Sequence, residues 1–90
     1  MMDLSDTRVL VTGCNGGIGQ AITRGFRDAG AAVFGVDVQP SPAAASELAD
    51  YLQADLSSVS GIDEVVRWAD PHSVNVLVNN AAIFDMGPFL

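Results

Sequence analysis

Val9-Leu10-Val11-Thr12-Gly13-Cys14-Asn15-Gly16-Gly17-Ile18-Gly19 is the stretch whose reading decides the fold. Its first residues form an apolar, β-branched run of the kind buried on both faces of a parallel sheet. The glycines that follow permit a tight turn and keep Cβ atoms out of the way of anything that approaches the backbone. Beyond them Ile18, Ala21, Ile22, Phe26 and Ala29 recur at helical spacing, with Gln20, Arg24, Arg27 and Asp28 between them and Gly30 placed as a stop. The order is therefore strand, glycine turn, helix.

Working outward, Ala32-Val33-Phe34-Gly35-Val36-Asp37 reads as a second buried strand ending on a carboxylate. Ser41-Pro42 resembles an N-cap with proline at the first helical position, and the alanine-rich stretch from Ala43 to about Asp50 predicts a short helix. Residues 51–55 read as a third, shorter strand. Ser60 with Asp63 resembles a capping box, after which Ile62, Val65, Val66 and Ala69 give one apolar face up to Pro71, with Trp68 beside it as a partly buried packing residue. The fourth strand is expected over 74–78. Alternating strands and helices with right-handed crossovers predict an α/β chain with a partial Rossmann (doubly wound) fold. Its parallel sheet has about four strands in the order 3-2-1-4, and residues 1–90 make one incomplete dinucleotide-binding domain. Val74, Val76, Leu77 and Val78 have the composition of a central strand, yet this order puts them at an edge. That edge is expected to be covered by a C-terminal half of the fold, or by a second copy joining its own fourth strand across a two-fold axis. The apolar tail of Phe84, Met86, Phe89 and Leu90 is expected to share that cover.

Composition narrows the function classes. Ninety residues make a small core that buries roughly 60% of the unfolded surface. An apolar content of 49% against 17% charged residues fits a compact unit rather than a disordered one. No apolar run reaches bilayer length, and the acidic N-terminus is unlike a secretory signal, so the expected location is the cytoplasm, with no membrane partner. One cysteine, Cys14, cannot form an internal disulfide, in keeping with a reducing compartment. The net charge of −7, with Arg8, Arg24, Arg27 and Arg67 as the only cations, argues against nucleic acid. One cysteine and one histidine without ligand spacing give no metal site. Cys14 reads as a small turn filler, His72 as a surface or capping residue, and Asp63, Glu64, Asp70 and Asp85 as caps and solvated surface.

The chemistry that remains is phosphate binding. A helix N-terminus offers unpaired N–H groups and the positive end of a dipole, and glycines let backbone approach a pyrophosphate closely. Gly13 would make the turn, Gly17 would allow phosphate approach, and Gly19 would let the helix lie near the sheet. Asp37 stands 18 residues beyond Gly19, close to the spacing expected of a carboxylate that accepts from the adenosine ribose. That carboxylate would repel a 2′-phosphate, and neither Gly16 nor Val38, Gln39 and Pro40 supplies a cation to welcome one. NAD is therefore expected over NADP.

The chain resembles the short-chain dehydrogenases/reductases. Residues 12–19 match that family's Thr-Gly-x3-Gly-x-Gly cofactor motif. Ala54-Asp55-Leu56 is similar to its third-strand motif, which holds the adenine ring, and Asn79-Asn80-Ala81-Ala82 resembles its Asn-Asn-Ala-Gly motif, with Ala82 in place of the glycine. The resemblance implies cofactor contacts from Gly13, Asn15, Gly16, Gly17, Ile18, Gly19, Asp37, Val38, Asp55, Leu56, Asn79, Asn80 and Ala81. It also implies that the catalytic serine, the Tyr-x3-Lys pair and a supporting asparagine lie beyond the fourth strand. These ninety residues contain no lysine and a single tyrosine, Tyr51, in the third strand, so no catalytic residue is expected among them and no hydride transfer from them alone. The expected role is the NAD-binding half of an oxidoreductase acting on an alcohol or carbonyl. A stand-alone nucleotide-binding module, or one half of a split dehydrogenase, are the alternatives.

Overall fold

Val9, Leu10 and Val11 are at most 3% exposed, so the strand that they form, β1 (Arg8–Thr12), is covered on both faces. The structure, a computed structural model, describes residues 3–81. After β1 come α1 (Gly17–Asp28), β2 (Ala32–Asp37), β3 (Asp50–Gln53), α2 (Val59–Ala69) and β4 (Val76–Val78). All strand pairs are parallel, in the order β3-β2-β1-β4. This is the order expected from the alternation of elements.

Strand side chains alternate between faces, and the register puts Leu10 level with Phe34 and Leu77. Val9, Val11 and Val33 face one way and pack with Ile22 and Phe26 of α1. Leu10, Val36 and Ala54 face the other and pack with Val65 and Trp68 of α2. The helices thus lie on opposite faces, and each fully buried valine contributes about 1.5–3 kcal/mol of apolar burial. α1 stops at Gly30, whose φ of +100° carries the chain through the left-handed region into β2.

Several local expectations shift. The stretch expected as a helix from Ala43 to Asp50 holds only a single 3-10 turn, Ala45–Glu47. Alanine propensity cannot repay helix nucleation over so few residues without an apolar face, and here Leu48 alone packs on the core. β3 begins at Asp50 and ends at Gln53, so Ala54 and Asp55 lie just past the strand. The cap of α2 is Ser58, not Ser60: its hydroxyl accepts from the Gly61 amide at 3.0 Å, while Asp63 pairs with Arg67 at 2.9 Å. The inward face of α2 is narrower than its apolar pattern, since Ile62 and Val66 are exposed along with Val59. β4 is three residues long, Val76–Val78, and the Asn75 side chain ties its entry to the sheet. It accepts from Arg8 N at 2.9 Å and donates to Asp6 O at 3.1 Å. Leu77 at this edge is 65% exposed. Ala82, Asp85 and the apolar tail lie outside the described residues.

At the amino ends of the strands Phe34 gathers an aromatic cluster. His72 stacks on it with ring centroids 4.5 Å apart, Trp68 meets it edge-on at 6.1 Å, and the Arg8 guanidinium lies 5.0 Å from its centre. His72 belongs to a 3-10 turn, Asp70–His72, and bonds Asp50 at 3.0 Å through Nε2. It is a half-buried packing residue rather than a surface or capping one.

Within α1, Thr23 is 3% exposed and its hydroxyl has no hydrogen-bond partner. An unsatisfied buried hydroxyl costs free energy that an isosteric methyl does not. Thr23→Val is expected to stabilise the chain by about 1 kcal/mol. The measurement is urea unfolding, read as a higher midpoint at unchanged slope.

Candidate functional site at the carboxyl ends of the strands

From β1 the chain crosses to β2 on one side, and from β3 it crosses back to β4 on the other. The carboxyl ends of β1 and β4 therefore flank a topological switch point, where such sheets open a crevice. The glycine loop fills the mouth of that crevice. Gly13 has a φ of +65°, and a Cβ built on it would lie 3.0 Å from Ala81 Cα. A Cβ on Gly19 would fall 2.1 Å from the Gly13 carbonyl oxygen, so α1 sits directly on the loop that precedes it. The Gly16 amide closes the turn on Gly13 O at 3.2 Å, and Gln20 N to Gly16 O at 2.9 Å opens the helix ladder. No side chain caps the first turn, and no acidic residue lies in it. A Cβ on Gly17 would meet nothing within 4 Å, so the positive end of α1 faces open space.

Three side chains hold this mouth in place. The buried Thr12 hydroxyl donates to Asn79 Oδ1 at 3.1 Å and accepts from the amides of Asn80 and Ala81, both at 3.0 Å. Asn80 Nδ2 adds a bond to Gly13 O at 3.2 Å, which ties the segment after β4 to the loop after β1. Asp37, at the end of β2, accepts from the Asn15 amide at 3.0 Å through Oδ2, and from Val38 N at 2.8 Å and Gln39 N at 3.3 Å through Oδ1. An ionised carboxylate has about four acceptor positions, so capacity remains for a further donor.

The resulting cleft has a volume of about 860 Å³. Of the residues singled out from sequence, Gly13, Asn15, Gly16, Gly17, Ile18, Asp37, Val38, Asp55, Leu56, Asn80 and Ala81 line it. Gly19 lies beneath the loop, and Asn79 turns to Thr12 instead. Ile18 was also expected on the core face of α1; it is 72% exposed and belongs to the cleft. The wall formed by residues 39–43 is not among the residues singled out from sequence, where Ser41-Pro42 reads as the start of a helix that runs on from Ala43. Asp55 accepts from the Ser57 hydroxyl at 2.6 Å and the Ser57 amide at 2.9 Å, and these bonds hold its carboxyl below the usual range. None of the four arginines lines the cleft: Arg24 bonds Glu47 at 3.1 Å, Arg67 pairs with Asp63, Arg27 lies near Asp28, and Arg8 stands at the far end of β1. Among the described residues no group of side chains is suited to a metal ion, and no helix is long and apolar enough to cross a membrane.

Cys14 fills the turn as expected. It is 4% exposed, and a Cβ on Gly35 would come within 2.6 Å of its sulfur. Burial, reinforced by the Asp37 charge, pushes the thiol up to about 11.

A doubly wound sheet with a glycine-lined cleft at its switch point defines a Rossmann-like nucleotide-binding architecture. The family model described as short chain dehydrogenase matches residues 7–90, and the chain belongs to that family. It is 38% identical to Nodulation protein G of a Rhizobium species, over 100% of this chain and 40% of that protein. To Galactitol 2-dehydrogenase of Agrobacterium fabrum it is 36% identical, over 97% of this chain and 37% of that one. The Pseudomonas aeruginosa RhlG/NADP active-site complex superposes with a TM-score of 0.80 at 33% identity, covering 91% of this chain and 37% of RhlG. The chain thus spans about two fifths of the length of these relatives.

Two outcomes follow from the geometry. Gly19→Ala forces a methyl against the Gly13 carbonyl and is expected to cost about 3 kcal/mol, whereas Gly17→Ala stays within about 1 kcal/mol of the parent; denaturant titration compares them. The raised Cys14 pKa favours the folded state while the thiol is protonated. That contribution is complete below pH 9 and lost as pH climbs toward 11. Alkylation of Cys14 at pH 8 is accordingly expected to proceed only through unfolding. Iodoacetamide labelling at the rate of a free thiol in the native chain would contradict this.

Proposed function

We propose that this segment binds NAD within an oxidoreductase that exchanges hydride between the nicotinamide and an alcohol or carbonyl substrate. The observation that carries the reading is the pairing of an uncapped, glycine-lined helix mouth with the Asp37 carboxylate on one cleft. The cleft has the size range of cofactor sites. The amides at the start of α1 would hold the pyrophosphate, since the space above Gly17 is open and no competing anion lies in the first turn. Asp37 would accept from the adenosine ribose, and Val38 would lie along the same edge. Asp55 and Leu56 would bracket the adenine. Asn80 and Ala81, with Asn79 as their brace on Thr12, would line the approach to the nicotinamide. Hydride exchange at that ring is the chemistry that the dinucleotide supplies when bound. The described residues contribute grip and orientation, and the short-chain dehydrogenase membership gives the reaction class.

NAD is preferred to NADP on this chain's own residues. RhlG is seen with NADP, but here a 2′-phosphate would meet the Asp37 charge with no cation in the cleft to offset it. Location in the cytoplasm and one incomplete dinucleotide-binding domain over residues 1–90 remain part of this proposal.

Calorimetric titration tests it. Gly17→Val, which places a side chain in the open space, is expected to weaken NAD binding at least tenfold while leaving the fold intact. Asp37→Ala is expected to bring NAD and NADP affinities close together. Equal affinities in the unsubstituted chain would refute the role of Asp37.

A further inference from the structure

Asn15 makes more long-range bonds than a turn residue needs. Its Nδ2 donates to Ser41 O at 3.0 Å and to the Tyr51 hydroxyl at 3.4 Å, and its Oδ1 accepts from Ala43 N at 2.8 Å. The Tyr51 hydroxyl, on β3, donates in turn to Gln39 O. These bonds bind the phosphate loop, the third strand and residues 39–43 into one clasp, and they do so where the crossover has no helix to stiffen it. The clasped residues carry the amides that anchor Asp37: Val38 N and Gln39 N hold its Oδ1, while Asn15 N holds its Oδ2. The backbone of Asn15 fixes one carboxylate oxygen, and its side chain holds the loop that fixes the other.

We infer that the Asn15 side chain, with the Tyr51 hydroxyl, is a positioning device for the Asp37 carboxylate and thereby sets the discrimination between NAD and NADP. This rests on the binding role proposed above for Asp37. Asn15 touches no phosphate through its side chain in this arrangement, since both ends of its amide are engaged by the protein. Loss of the clasp frees residues 39–43, releases the amides from Oδ1 and lets the carboxylate rotate away from the direction it now holds. A carboxylate free to turn accepts less well from a ribose and repels a 2′-phosphate less. The expected mark is a change in the ratio of two affinities rather than a loss of both.

The experiment is calorimetric titration of NAD and NADP into the parent chain, Asn15→Ala, Tyr51→Phe, Asp37→Ala and the Asn15→Ala/Asp37→Ala pair. Asn15→Ala is expected to reduce the NAD:NADP affinity ratio about fivefold, mostly through weaker NAD binding, with Tyr51→Phe moving it the same way by less. In the Asp37→Ala background Asn15→Ala is expected to leave the ratio unchanged, because the group that it positions is gone. Tyr51→Phe keeps the ring and removes only the hydroxyl, so it carries the test if Asn15→Ala does not fold. An unchanged ratio in both single variants, with NAD and NADP weakened alike, would overturn the inference and leave the clasp a purely structural feature. If Asp37→Ala itself leaves the ratio unchanged, the binding role of Asp37 fails and the inference falls with it.

Discussion

There is no room at residue 19 for a methyl group. The backbone of α1 lies so close to the Gly13 carbonyl and Cys14 that only glycine fits, and this contact sets where the helix begins relative to the end of β1. Everything at the cleft inherits that placement. The first-turn amides face outward because the turn from Gly13 to Gly16 closes on itself and leaves the next residues without partners. Thr12, one residue before the turn, can then use a single hydroxyl to receive the chain arriving from β4. One short approach between backbones thus brings residues 12, 19 and 80 to a common point. A larger side chain at position 19 would move the helix mouth, and with it the first-turn amides that face the cleft.

Electrostatics at the cleft is settled by where the cations are not. A chain with a net charge of −7 has four arginines, and the fold engages them on surface carboxylates or, for Arg8, at the amino end of the sheet. Exposed pairs of this kind add little stability, so their main consequence here is to leave the cleft with backbone donors as its attraction for anions. The helix dipole acts over its first turn only, which localises that attraction above Gly17. Asp37, already satisfied in part by three amides, adds a negative charge at a fixed distance along the wall. The cleft therefore offers unpaired first-turn amides beside a carboxylate that is held in place.

The two ends of the sheet are stabilised by different means. At the amino ends Phe34, Trp68, His72 and Arg8 pack as a cluster, with apolar and cation–π contacts that are worth little singly and exclude water together. At the carboxyl ends Cys14, Val36 and Ala54 are buried beneath the cleft, and hydrogen bonds through Thr12, Asn15 and Asp37 hold the loops above them. Directional bonds between the loops at this end can keep the cleft open without loosening the core beneath it. The outward apolar residues Ile62, Val66 and Leu77 lie on the α2 side, away from the cleft walls.

Strand order, parallel pairing and the glycine loop were legible in the residues themselves. Continuous β-branched runs can be buried only on both faces, and alternation with amphipathic segments admits few topologies. Asp37 was legible because it closes the second strand 18 residues beyond Gly19, close to the spacing expected of a carboxylate that answers a glycine loop. The crossover before β3 was not, since alanine propensity describes an isolated segment while the bonds from Asn15 and Tyr51 decide its path. Nor could the pattern at Ser58, Ser60 and Asp63 say which hydroxyl caps α2, because the choice depends on how close Gly61 comes to Asp55. By itself, then, the sequence determined a nucleotide-type half-sheet and the positions of its glycines and carboxylate, all matters of local sterics and periodicity. Only the tertiary structure decided the wall of residues 39–43, the orientation of Asp37 and the outward turn of Ile18, because the wall and one oxygen of Asp37 are held by partners 15 to 36 residues away in the chain, and Ile18 faces the open cleft.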